Sequence, residues 1–126
     1  MTKKMKILTV DDDFINLKLL HSILNKNSLV GEICEAKNGL EAINLLQEVG
    51  DIDLILLDIK MPIMDGIEFL DTIQSIPELH KIPVIVLTTD ETRKTEAFNN
   101  GAFDFLVKPI REAQLSLKIE KIAQLL

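Results

Sequence analysis

Leu54-Ile55-Leu56-Leu57-Asp58-Ile59-Lys60-Met61-Pro62 is the stretch that decides the fold. Its four apolar residues end on a carboxylate and are soon followed by a proline. The run is too short for a buried helix and does not alternate as a half-solvated strand does. It reads as a strand covered on both faces, the pattern of a central strand in a parallel sheet, with Asp58 at its carboxyl end. Upstream, Ile7-Leu8-Thr9-Val10 runs into Asp11-Asp12-Asp13 in the same manner. If the two strand ends are neighbours, three or more carboxylates share one small volume, and two of them ~4 Å apart repel by ~4 kcal/mol at an effective dielectric of about 20. Such a site calls for a cation.

Outward from that stretch, short apolar runs at 5–10, 31–36, 53–58, 83–88 and 104–107 alternate with helical periods at about 14–27, 39–49, 66–75, 91–100 and 111–126. Five βα units follow, and an open α/β sheet is the natural architecture. Leu17, Leu20 and Leu24 mark the buried face of the first helix, and Ile67, Leu70 and Ile73 that of the third. Gly39, Gly50, Gly66 and Gly101 fall at helix ends or turns, where freedom at positive φ is useful. The fourth helical segment, 91–100, has only Ala97 and Phe98 as apolar residues, so little buried area holds it to the sheet. It is expected to be the loosest helix.

The chain has 126 residues, 47% hydrophobic and 27% charged, which fits a single domain spanning 1–126 with a core of its own. A net charge of −6 and a pI near 4.9, with no stripe of Lys and Arg, argue against direct nucleic-acid binding. Lys3, Lys4 and Lys6 precede only a four-residue apolar run, too short for a signal-peptide core, and no stretch approaches the ~20 residues of a membrane span. The expected setting is therefore cytoplasmic. One cysteine, Cys34, excludes an internal disulfide and reads as a buried strand thiol. His21 and His80 have no metal-ligand pattern and no nucleophile nearby in sequence, and read as surface or structural.

In open parallel sheets ligands sit outside the carboxyl ends of the strands, where strand order reverses. Asp11, Asp12 and Asp13 follow strand one, Asp58 ends strand three, Thr88 ends strand four, and Lys108-Pro109 ends strand five. In the order 2-1-3-4-5, strands one and three are adjacent, so Asp11 and Asp12 come beside Asp58. Asp13 is better read as the cap of the following helix. Mg²⁺ takes oxygen ligands, with carboxylates, waters and phosphate oxygens completing its shell, so the set suits Mg²⁺ and a phosphoryl group.

These residues resemble the receiver domain of two-component response regulators, the CheY-like family. The resemblance runs along the whole chain through Ile7-Leu8-Thr9-Val10-Asp11-Asp12-Asp13, Leu56-Leu57-Asp58-Ile59-Lys60-Met61-Pro62-Ile63-Met64-Asp65-Gly66, Val84-Ile85-Val86-Leu87-Thr88 and Gly101-Ala102-Phe103-Asp104-Phe105-Leu106-Val107-Lys108-Pro109. It implies a flavodoxin-like (βα)5 three-layer sandwich with a five-stranded parallel sheet of order 2-1-3-4-5. It further implies Asp58 as phosphoryl acceptor, Mg²⁺ held by Asp11, Asp12, Asp58 and the backbone carbonyl of Lys60, and Thr88 and Lys108 on the phosphoryl oxygens. Lys108-Pro109 would be cis, as proline tolerates. Thr88 and Phe105 would form a switch, Phe105 turning inward as the face of helix four, strand five and helix five is remodelled. The donor would be a phosphohistidine on a sensor histidine kinase or phosphotransfer protein. The downstream partner would be an output domain or separate protein, and a homodimer through that same face is a further expectation. The chain would act on its own Asp58 only, and so is not an enzyme in the usual sense.

Two other functions compete. A phosphatase of the haloacid dehalogenase class needs a second aspartate two residues after the nucleophile, where Lys60 stands. A receiver-like interaction module that is never phosphorylated would not need all five pocket residues. An FMN carrier fails on sign, because Asp11 to Asp13 would repel its phosphate. Two expectations go beyond the resemblance. Lys60 and Asp90, each two residues past a site residue, could pair over the acceptor and slow hydrolysis, against a background in which exposed pairs are worth ~0–1 kcal/mol. Leu115, Ile119, Ile122 and Leu126, with Leu117 and Leu125, give the last helix more apolar surface than one buried face requires. That surplus would support dimerisation or lead into a further domain.

Overall fold

The computed structural model of the chain describes residues 4–126; the expectation resting on Lys3 lies outside them. Among the described residues, β1 (Met5–Val10), β2 (Val30–Ala36), β3 (Leu54–Asp58), β4 (Val84–Thr88) and β5 (Asp104–Val107) form one parallel sheet. Its order is β2-β1-β3-β4-β5. Helices α1 (Phe14–Asn25), α2 (Gly39–Glu48), α3 (Gly66–Gln74), α4 (Lys94–Asn99) and α5 (Glu112–Ala123) connect and cover the strands. No helix among the described residues is long and apolar enough to cross a membrane.

The side-chain alternation of β3 explains the three layers. Leu54 and Leu56 enter one core with Leu20 and Leu24 of α1 and Leu115, Ile119 and Ile122 of α5. Ile55 and Leu57 enter the other with Ile43 of α2, Phe69 and Leu70 of α3, and Ala97 of α4. Every residue of β3 and β4 is buried, as the uninterrupted apolar runs require.

The starts of α1, α2 and α3 are set by side chains that accept from otherwise orphaned backbone N–H groups. Asp13 accepts from Ile15 N at 2.9 Å, the capping role expected of it. Asp65 and Glu68 form a reciprocal capping box at α3. Gly66 is needed for space: a Cβ there would lie 2.8 Å from Ile59 Cα and strike the Asp58 carbonyl. Of the four punctuating glycines only Gly101 adopts positive φ, at +100°; the other left-handed positions fall on Asp51 and Ile63.

The fourth helical segment differs from its expected single span. Asp90 caps a 3₁₀ turn, Glu91–Arg93, and only then does the six-residue α4 begin. Ala97 is its one buried residue, while Phe98 stays exposed. The last helix stops at Ala123, short of the expected 126.

Candidate functional site

Strand register assembles the site. Val10 pairs with Leu57, so Asp11 and Asp58 leave the sheet side by side; Thr88 pairs with Val107, so Lys108 emerges next to them. Carboxylate oxygens of Asp11, Asp12 and Asp58 all lie within 4.8 Å of one another. Lys108 Nζ reaches Asp11 Oδ2 at 3.0 Å and Asp58 Oδ1 at 3.4 Å. Residues far apart in the chain thus converge because each terminates a buried strand at the same sheet edge.

Burial is graded across the trio. Asp11 is 2% exposed and Asp58 8%, whereas Asp12 is open to solvent. Asp11 is held by the N–H of Asp13, which donates to its Oδ1 at 2.9 Å, besides the Lys108 contact. Burial pushes the Asp58 carboxyl up from the ordinary 3.8 to about 6, with Lys108 opposing and Asp11 reinforcing the rise. An all-oxygen set with one solvent-facing member suits a hard divalent ion that keeps part of its water shell, so the residues fit Mg²⁺. Beside them a cavity of about 400 Å³ opens between α1 and the loop after β5, with Asp11, Asn16, Leu19 and Lys108 in its wall.

Thr88 is buried at 1% exposure, and its Oγ1 accepts from Asp90 N at 3.2 Å. Phe105 is also buried, within the cluster that includes Ala97 of α4. Its ring therefore already lies inward. The Lys108-Pro109 peptide is cis. Lys60 stands exposed at the start of the β3–α3 loop.

Two expectations are corrected. Lys60 and Asp90 do not pair within contact distance: Asp90 accepts from Thr92, by both its N–H and its hydroxyl. That bonding, chiefly from the Thr92 hydroxyl, lowers the Asp90 pKa, and Lys60 contributes only at longer range through its charge. Cys34 is partly rather than fully buried, on edge strand β2, with its thiol pushed up by desolvation. His21 lies 3.7 Å from Glu35 at the surface, and His80 is exposed, both outside the site. Two features went unread in the sequence: the Asp65–Glu68 capping box, signalled by its D-x-x-E spacing, and the left-handed Ile63, for which no residue-type signal exists.

Residues 7–120 match the family model described as the response regulator receiver domain. The chain is 36% identical over 124 residues to chemotaxis protein CheY-3 of Vibrio cholerae, covering 97% of this chain and 94% of that protein. It is 33% identical over 123 residues to the cyclic di-GMP phosphodiesterase response regulator RpfG of Xanthomonas campestris. That match covers 96% of this chain but spans only 32% of RpfG. Among solved structures, the phosphorylated cyanobacterial phytochrome response regulator RcpA is similar at a TM-score of 0.79 and 29% identity, covering 96% of this chain and 92% of that one.

Proposed function

The chain belongs to the response regulator receiver family, and on that premise we propose that residues 1–126 form one phosphorylatable receiver domain whose acceptor is Asp58. The observation that carries the proposal is the convergence of Asp11, Asp12, Asp58 and Lys108 on one solvent-accessible point.

An Asp58 oxygen attacks the phosphorus of a phosphohistidine. The new P–O bond forms as the P–N bond breaks, and the imidazole leaves carrying a proton. Asp58 acts as the ionised carboxylate, and Lys108, 3.4 Å away, favours that form. Lys108 also offers a positive charge to a transferred phosphoryl oxygen, and Thr88 a hydroxyl. Asp11, Asp12, Asp58 and the Lys60 carbonyl would hold Mg²⁺. When bound, the ion supplies charge neutralisation for the transferring oxygens.

The product is an acyl phosphate that water later cleaves, so the signal is self-limiting. Thr88 and Phe105 transmit it, by weighting conformations of the α4, β5 and α5 face rather than by creating a new one. RcpA, which shares the fold, is described as phosphorylated, and that supports the reading. The donor class is a sensor histidine kinase or a phosphotransfer protein; the receiver of the signal is an output domain or separate protein, with a second copy of the chain as a further partner through the same face.

Incubation with acetyl phosphate and Mg²⁺, followed by intact mass, tests the assignment. One added phosphoryl group is expected, lost in Asp58→Asn and on chelation with EDTA. A parent chain that gains none, and is indistinguishable from Asp58→Asn, would instead favour a passive interaction module.

A further inference from the structure

The amino edge of the sheet carries a cavity of its own. It has a volume of about 310 Å³ and lies between the end of α2, the lead into β3 and the connection from α3 to β4. Leu46, Ile52 and Leu79 in its lining are buried, and Val49 and Ile82 are left partly open against the same core. Leu79 N donates to Ile76 O at 3.0 Å and Ile82 N to Leu79 O at 3.1 Å, so successive tight turns hold that wall in place. The acidic trio leaves the opposite edge, about 17 Å away along the five residues of β3. No residue of α4, β5 or α5 lines the cavity.

The charge around the cavity is acidic and unspent. Asp51 and Glu78, both exposed, complete the lining. Glu48 stands in the last turn of α2, where the helix dipole is negative and no basic residue offsets it. Among the described residues none of the three is in an ion pair. Lys6 is taken by Glu32 at 3.4 Å and by the Gly50 carbonyl at 3.4 Å, while His80 and Lys81 are exposed and outside the lining. Three unpaired carboxylates are thus grouped on the segments that form an apolar hollow.

We propose that this cavity is a docking site for a segment of a partner protein that carries a large aliphatic side chain between basic residues. The aliphatic group fills the hollow between Leu46 and Ile82, and the flanking Lys or Arg meet Asp51, Glu78 and the negative end of α2. An apolar centre within a charged rim is the anatomy of an interface, and the sign of the rim selects the partner. Basic side chains also suit the hollow through their own apolar stems, which lie along such walls while the charged heads stay in water. The inference stands apart from the proposed transfer to Asp58, which uses the other edge of the sheet.

The test titrates the isotope-labelled chain with three capped tripeptides and follows its amide chemical shifts. The peptides are arginine-leucine-arginine, arginine-glycine-arginine and glutamate-leucine-glutamate, and excess Mg²⁺ is present so that the acidic trio does not compete for the basic ones. Saturable shifts are expected at 46–52 and 78–82 with the first peptide, binding about tenfold weaker with the second, and none with the third. In the double variant Asp51→Asn, Glu78→Gln the first peptide should also bind about tenfold more weakly. Asn tolerates the left-handed backbone of Asp51, at φ of +65°, so that loss is not a folding artefact. Equal affinity in the double variant, equal affinity for the glycine peptide, shifts confined to the surroundings of Asp11 and Asp58, or no shifts at all would each overturn the proposal. Shifts at 46–52 and 78–82 on concentrating the chain alone would assign the cavity to a second copy and overturn it as well.

Discussion

Asp58 carries an electrostatic cost that the rest of the protein sustains. Its carboxyl rises to about 6 through burial first, then through the neighbouring Asp11, with Lys108 pulling the other way. A carboxyl whose folded value lies above its unfolded value of 3.8 contributes stability that is complete below about pH 4 and is lost as pH rises through about 6. The span corresponds to at most about 3 kcal/mol. In EDTA, Asp58→Asn is therefore expected to be more stable than the parent at pH 7.5 by ~1–3 kcal/mol, with the gap closing toward pH 4; urea unfolding at the two pH values reads it. Equal stability at pH 7.5 would show that the carboxylate is not strained by its surroundings. Ile63 carries a conformational cost instead. Ile63→Gly is expected to stabilise the fold by ~1 kcal/mol, because glycine enters the left-handed region freely; a lower urea midpoint in the variant would contradict that.

At the level of elements, α4 is the weakest attachment. It is six residues long, buries Ala97 alone, has no side-chain cap at its own start, and follows a 3₁₀ turn rather than a firm helical entry. By contrast α3 has a capping box and buries Phe69, Leu70 and Ile73. Hydrogen exchange should therefore show the amides of 94–99 opening well before those of 66–74; equal protection would remove α4 as the movable element. Ala97 and Phe105 belong to one core cluster, and under the proposed function that shared packing would link α4 to the switch. The polar stretch after Thr88 carries no hydrophobic period, which is why the split into a turn and a short helix could not be read in the sequence. Asp90 illustrates the same limit: charge alone suggested a pair with Lys60, but a hydroxyl two residues away was the nearer partner.

For the molecule as a whole, the strand runs carried almost all the information about the site. Each of Asp11, Asp58, Thr88 and Lys108 ends or directly follows a buried strand; the apolar runs of β3 and β4 marked parallel strands, but the convergence also needed the order 2-1-3-4-5, which the receiver resemblance implied and the sheet has. Backbone fine structure was not legible in the same way. Ile63 is forced left-handed by bonds from Gly39 and Gly66, contacts that exist only after folding, and glycine positions signalled positive φ where three of the four read that way supply space or an end instead. The whole fold also sets the expected response to metal: a divalent ion that binds only the assembled trio stabilises by RT ln(1 + [L]/Kd), about 2.7 kcal/mol at a hundredfold excess over Kd. Thermal midpoints should rise with added Mg²⁺ in the parent and much less in Asp12→Ala; a parent insensitive to Mg²⁺ would argue against the site. Most direct is the chemical address of the phosphoryl group. After acetyl phosphate treatment with Mg²⁺, borohydride reduction and peptide mapping should place homoserine at position 58 and nowhere else. Reduction product at position 11 or 12, or none at all, would contradict the account.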